Sequence, residues 1–501
     1  MNLYEQFRRH VDRAPGAPAL VDPDGEDVTY AALDERAGAV AATLAERTDP
    51  GDRVAVYMLD NDTYVACVLG ALRAGCAVTP VNYRFDTEGV RGVLEDVRPT
   101  VLLTDDVYRN TAHDVAADVD AIETVIEAHE GGFVADAVGD PGAAPAPVTR
   151  LDDDVAVVMH TSGTTGTPKG VVQTHRTVGA QIDAGAARYG ITPDDTAVVA
   201  VPLFHVGGLH CATMMALTNG ASLVVQPAWN AAEWARLVEA TDATYSGLIP
   251  AMIRDLLDTE AARERDTSSI DFCLYGGSPT PEALLQEFEE AFDLGGLYDF
   301  YGQTEASGVS VTYGAGWERR PGMMGTVVES LEWRVVEIGS GEPLPAGQQG
   351  ELQLRGDSIM DRYWELPERT EEAFDDGWFR TGDVVVADDD GYISYVDRLD
   401  DIILSGGEKV APAAVEDALQ EWNRVQGVAV FGTPHERLGE AVTAAVIGED
   451  DLTTEEVAAY CDDHGGLAGY ETPRRVVFVD EFPRTGSQKV DKVALRERVA
   501  D

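Results

Sequence analysis

Short apolar runs at 53–59, 77–81 and 101–104, bounded by Gly, Asp and Pro, predict strands, while 30–46 carries apolar residues at helical spacing. Strands alternating with helices predict a parallel or mixed sheet covered by helices. The stretch 131–148, rich in Gly, Ala and Pro, reads as a surface loop. A second unit of the same kind follows, with strands expected at 155–159, 197–201, 222–225 and 272–275 and helices at 231–240 and 281–292. From 325 to 396 the pattern changes to short strands (332–336, 350–354, 392–396) separated by Gly and Pro, which predicts a small β-rich unit. The last hundred residues, with a helix at 412–422 and strands at 425–431, 441–447 and 475–479, read as a separate α+β domain, with a boundary near Asp400.

A chain of 501 residues is too long for one ordinary core and suits two or three. The best apolar stretch, 64–78, is interrupted by Arg73, so no membrane span is expected. The first twelve residues place Tyr4, Phe7 and Val11 at helical spacing among charges, unlike a signal peptide, and a cytoplasmic location is expected. Five scattered cysteines form no CxxC pair and read as reduced packing residues. A net charge of −52 argues against nucleic acid and acidic lipid as partners. The runs Asp152-Asp153-Asp154 and Asp388-Asp389-Asp390 then read as solvated surface rather than metal loops. Only four of the 37 basic side chains are lysines, namely Lys169, Lys409, Lys489 and Lys492. This balance resembles that of proteins from salt-loving organisms. Where lysine is so scarce, each one marks a place where a planar guanidinium does not substitute for a compact ammonium.

The strongest chemical signal is Thr161-Ser162-Gly163-Thr164-Thr165-Gly166-Thr167-Pro168-Lys169-Gly170. Glycines let the backbone approach a ligand, hydroxyls and N–H groups supply donors, and Lys169 adds positive charge, a combination suited to a polyphosphate. The Walker spacing is absent, and the apolar runs on either side predict a loop between two strands.

With that loop, several further motifs make the chain resemble the adenylate-forming superfamily, which includes acyl-CoA synthetases, nonribosomal-peptide adenylation domains and luciferases. The resemblance covers essentially the whole chain. Asp299-Phe300-Tyr301-Gly302-Gln303-Thr304-Glu305 matches a family motif in which Tyr301 would stack on adenine, Thr304 would contact the α-phosphate region and Glu305 would hold Mg²⁺. Tyr275-Gly276-Gly277-Ser278 resembles the lining of the adenine and acyl pocket. Phe379-Arg380-Thr381-Gly382-Asp383 matches the motif whose aspartate takes the ribose hydroxyls. Asp397-Arg398-Leu399-Asp400-Asp401 resembles the hinge motif, with Arg398 reaching the ribose, Asp400 at the joint, and Asp397 where the family usually has Gly. In Pro483-Arg484-Thr485-Gly486-Ser487-Gln488-Lys489 the resemblance makes Lys489 the catalytic lysine, with Gln488 replacing the usual glycine, and leaves Lys492 as a solvated lysine.

The resemblance implies an α/β fold: a large N-terminal domain of two α/β subdomains and a β-rich subdomain over 1–399, with a mobile α+β C-terminal domain over 400–501. It implies an acid–thiol ligase that uses ATP, Mg²⁺ and coenzyme A. The acid's carboxylate attacks the α-phosphate of ATP, and the thiol then takes the acyl group after Gly406 and Gly407 replace the lysine loop. His205 and Gly207, in Pro202-Leu203-Phe204-His205-Val206-Gly207-Gly208-Leu209, would gate or line the acyl and thiol channel. Gly302, where acetate-specific relatives have tryptophan, would leave room for a longer chain, lined by Met214, Met215, Leu217 and the run 248–253. A medium- or long-chain fatty acid is the first expectation and an aryl acid the second. The same motifs would also suit an enzyme that loads a carrier protein and, more remotely, a nucleotide sensor without catalysis. A homodimer is allowed.

Overall fold

The structure, a computed structural model, describes all residues except 1, 130–131, 134–144, 162–167, 450, 464–466, 484–489 and 501. Most of the expected loop 131–148 and all of Ser162, Gly163, Thr164, Thr165, Gly166 and Lys489 lie outside the described residues. The architecture is α/β, and the chain divides into two compact units, Met1–Trp333 with Leu354–Phe379, and Arg334–Gln353 with Arg380–Asp501.

The first unit holds two sheets. In one, strands Arg53–Tyr57, Ala77–Pro80 and Val101–Thr104 pair in parallel. Almost all of their side chains are buried, as expected of parallel strands covered on both faces. Val155–Thr161 joins this sheet beside Ala77–Pro80 and turns back as the antiparallel strand Lys169–Thr174. The two-residue strand Arg362–Tyr363 closes that edge. Helix His175–Tyr189 starts where Thr174 and Thr177 form a reciprocal capping box, and it ends at Gly190, whose φ of 71° suits a left-handed cap.

The second sheet is parallel through Ser222–Val225, Thr196–Val199, Tyr245–Leu248, Phe272–Gly276 and Leu297–Gln303, then antiparallel at Gly308–Thr312 and Gly325–Val327. Leu248, Met252 and Ile253 pack with Trp234, Val238 and Phe288. The run 248–253 is therefore largely core between sheet and helices, a correction to its expected place along the acyl pocket. Met214, Met215 and Leu217 are likewise buried, in a helical stretch whose segment Leu209–Met214 is wound as a π-helix.

In the second unit, residues 383–387 of the strand Trp378–Ala387 pair antiparallel with Tyr392–Arg398. A five-stranded sheet follows, with Val425–His435 and Gly439–Gly448 at its centre. Period-two alternation splits its side chains between two cores. Val430, Val442 and Val446 face Val415, Leu419 and Val457. Ala429, Phe431 and Ala445 face Leu495 and Val499. All five cysteines are buried free thiols. Among the described residues no helix is long and apolar enough to cross a membrane.

Candidate functional site

The glycine-and-hydroxyl loop grows from the hairpin of Val155–Thr161 and Lys169–Thr174, whose last paired residues are Thr161 and Lys169. Lys169 thus enters at the mouth of the loop, and its ammonium lies 5.6 Å from the centre of the Tyr363 ring. The Tyr363 hydroxyl donates to Glu305 Oε1 at 2.8 Å. One tyrosine therefore touches the cation of the cradle with its face and the expected metal carboxylate with its hydroxyl. Two further bonds fix the Glu305 turn: Met360 N–H donates to Glu305 O at 2.7 Å, and Gln173 Nε2 donates to Thr304 O at 2.8 Å.

Thr304 and Glu305 occupy the short 3-10 turn Thr304–Ala306 between Leu297–Gln303 and Gly308–Thr312. Ser307 closes this turn with φ of 59° and is fully buried, a strained backbone held by the packing around it. Asp299 lies opposite Tyr275 in the strand register and hydrogen-bonds its hydroxyl, and burial pushes its carboxyl up to about 8. Tyr301 leads to Gln303, whose Nε2 lies 3.5 Å from the Tyr301 hydroxyl. At the end of Phe272–Gly276, a Cβ on Gly276 would come within 2.1 Å of Phe300 O. Gly277 has φ of 83°, and Ser278 is exposed beyond it.

Gly302 sits close against the neighbouring strand. A Cβ there would stand 2.0 Å from Gly308 O and 3.0 Å from Val309 Cα. With the strands paired as they are here, a side chain at residue 302 would have to shift Gly308 before it could enter any pocket. Gly207 differs, because the nearest atom to its Cβ position is Val201 Cγ2 at 3.9 Å. His205 precedes the helical turn Val206–Gly208, with its ring 4.6 Å from that of Phe204.

The remaining expected residues lie in the second unit. Asp383 is buried, and Arg398 Nη1 donates to its Oδ1 at 2.7 Å across paired strands. The two expected ribose ligands thus meet each other. Asp400 is exposed in the turn Leu399–Asp401. Gly406 and Gly407, with φ of 66° and 93°, make the two-residue turn between Ile403–Ser405 and Glu408–Val410, a geometry that favours glycine at both places. Asp397 is more than a departure from the usual glycine, since its buried carboxylate accepts Arg398 N–H at 2.7 Å and Ala413 N–H at 2.8 Å. Lys492, expected in solvent, is instead ion-paired with Glu416 at 2.8 Å.

Tyr363 and Gln173 were missed by sequence reasoning, and Asp397 was read only as a departure from the usual glycine. Tyr363 sits in Asp361-Arg362-Tyr363-Trp364, which carries no periodic signal, and only the pairing of Arg362–Tyr363 with Val171 and Val172 brings it to the cradle.

The sequence profile of the AMP-binding enzyme family matches residues 7–364, and that of the AMP-binding enzyme C-terminal domain matches 414–489. The chain is 33% identical over 500 residues to a feruloyl-CoA synthase of Amycolatopsis sp, covering 98% of this chain and 97% of the relative. It is 30% identical over 502 residues to the long-chain-fatty-acid–CoA ligase FadD13 of Mycobacterium tuberculosis, covering 99% and 98%. Its fold matches the ATP-bound crystal structure of MatB from Rhodopseudomonas palustris with a TM-score of 0.90 at 29% identity, covering 100% of this chain and 99% of that one. On its sequence and its fold, the chain belongs to the AMP-binding enzyme family, within the AMP-forming CoA ligases.

Proposed function

We propose that the enzyme activates a carboxylic acid with ATP, forming an acyl-adenylate and pyrophosphate, and transfers the acyl group to coenzyme A with release of AMP. The observation that carries this reading is the placing of Lys169 and Glu305 against one tyrosine at the mouth of the hydroxyl-and-glycine loop. A cation and a carboxylate gathered around one tyrosine suit a metal-bound triphosphate. Glu305 fits Mg²⁺ as a hard oxygen donor, and the ion would supply neutralisation of the phosphate charge when bound. Thr161, Lys169 and Thr304 would hold the phosphates, Gly276, Gly277, Ser278, Asp299 and Tyr301 the adenine side, and Asp383 with Arg398 the ribose.

Both reactants of the first step are anionic, so the residues must offset charge and hold an in-line approach. Lys489 is assigned the α-phosphate, and the boundary near Asp400 is assigned the rotation that brings Gly406 and Gly407 in for the thiol step. The acid is apolar: a medium- or long-chain fatty acid first, in keeping with the FadD13 relationship, and an aryl acid second, favoured by the feruloyl-CoA synthase relationship. Gly302 does not separate them.

The test incubates the protein in high KCl with ATP, Mg²⁺, coenzyme A and a panel of aliphatic and aryl acids, following AMP and thioester. Acid-dependent AMP release is expected, and Lys489→Ala should slow adenylation at least about tenfold. No acid-dependent AMP with any member of the panel would defeat the reading.

A further inference from the structure

Asp60 belongs to none of the motifs above, yet it is 4% exposed and makes two long-range hydrogen bonds. Its Oδ1 accepts the Leu203 N–H at 3.0 Å, and its Oδ2 accepts the Tyr83 hydroxyl at 3.1 Å. Asp60 stands just beyond the end of strand Arg53–Tyr57 and Tyr83 just beyond Ala77–Pro80, two parallel neighbours in one sheet. Leu203 lies in the loop leaving strand Thr196–Val199 of the other sheet. One carboxylate therefore ties two strand ends of the first sheet to a loop of the second.

The tie reaches His205 through rings. Tyr83 meets Phe204 edge-on, with centroids 4.9 Å apart at 88°, and Phe204 packs against His205 at 4.6 Å. We propose that Asp60 is a positioning residue for the ligase reaction: it fixes the 202–205 loop and, through Tyr83 and Phe204, the place of His205 in the acyl and thiol channel. This rests on the channel role that the family resemblance implies for His205 in the ligase reaction proposed above.

A carboxylate is a costly way to brace a loop unless its charge matters, because burial disfavours the ionised form. Burial raises Asp60 to about 7, against the lowering effects of the Leu203 and Tyr83 bonds and of Arg84. The groups facing it are Tyr64 from helix Asp62–Arg73, Tyr83 and Arg84 beyond the neighbouring strand, and Tyr108. His205 joins them through Phe204, and Asp105 accepts the Leu59 N–H at 2.8 Å. Ionised, Asp60 accepts both donors as charge-assisted bonds; protonated, it holds them more weakly. The loop is held best above the carboxyl's midpoint.

The experiment measures adenylation and thioester formation separately between about pH 6 and 8.5 for the full chain and for Asp60→Asn, Tyr83→Phe and His205→Ala. Asp60→Asn is expected to lower kcat/KM for the thioester step about tenfold, to leave KM for ATP within about twofold, and to erase an inflection near neutral pH. Tyr83→Phe removes a donor that favours the carboxylate, so it is expected to keep the inflection but move it to higher pH; it also carries the test if Asp60→Asn fails to fold. An inflection that survives Asp60→Asn, or equal loss in both steps, would overturn the proposal. If His205→Ala impairs the thioester step while Asp60→Asn does not, the positioning role alone falls; if His205→Ala changes neither step, the channel assignment falls with it.

Discussion

Lys169 and Lys492 each open a regular element, one the strand Lys169–Thr174 and the other the helix Lys492–Ala500, yet their ammonium groups meet different partners. Lys169 lies 5.6 Å from the centre of a tyrosine ring. Lys492 lies 2.8 Å from Glu416, with Asp397 and Asp401 adding to the field that raises its pKa. A ring attracts a cation without cancelling it, so Lys169 keeps a positive field for an anion. At Lys492 the field is spent within the fold, because a cation at a helix N-terminus opposes the macrodipole and needs a carboxylate to offset it. Scarcity of lysine in this chain therefore marks positions where a compact cation fits, and the surroundings decide whether that cation serves a ligand or the structure.

Removing charge from the two regions should separate them. Glu305→Gln is expected to lower kcat/KM for ATP about 10- to 100-fold in an AMP-release assay. Lys492→Met should leave that assay within about twofold but lower stability by about 2–3 kcal/mol in urea melts, since Glu416 and Asp397 lose their cation. Similar effects on both readouts would erase the contrast. Gly302→Ala should cost about 1–3 kcal/mol by forcing a methyl onto Gly308, whereas Gly207→Ala should stay within about 0.5 kcal/mol, also by urea melts. A stable Gly302→Ala would restore that position to the pocket argument.

Smaller effects sharpen the picture. Tyr363→Phe keeps the ring over Lys169 and deletes only the bond to Glu305, so a loss of about three- to tenfold in ATP use is expected from AMP release. Asp299→Asn addresses pH. The folded value of about 8 lies above the ordinary carboxylate value, so the folded chain holds a proton that the unfolded chain has released. The stability this contributes is complete below about pH 4 and is lost as pH rises through about 8. Urea melts at about pH 5 and 8.5 should show the balance moving in favour of the variant at the higher pH, and a constant difference would refute the shift.

The paired α/β architecture was legible because its strands are short, apolar and bounded by turn residues, as at Val101–Thr104 and Phe272–Gly276. The cradle was legible because its chemistry is contiguous in sequence. Tyr363 and Asp60 were not, because each meets a partner more than fifty residues away and neither belongs to a recognisable motif. Gly302 shows a related limit: sequence shows that a side chain is missing, while only the register of Gln303 against Gly308 shows what lies beside its place.

The two-residue strand Arg362–Tyr363 occupies the rim of its sheet. Were it peeled away, the amides and carbonyls of Lys169–Thr174 would become an open template for another chain, while Glu305 would lose its tyrosine. The sheet edge and the Glu305 carboxylate are thereby fastened by one clip, and damage near residue 363 is expected to cause self-association and inactivity together.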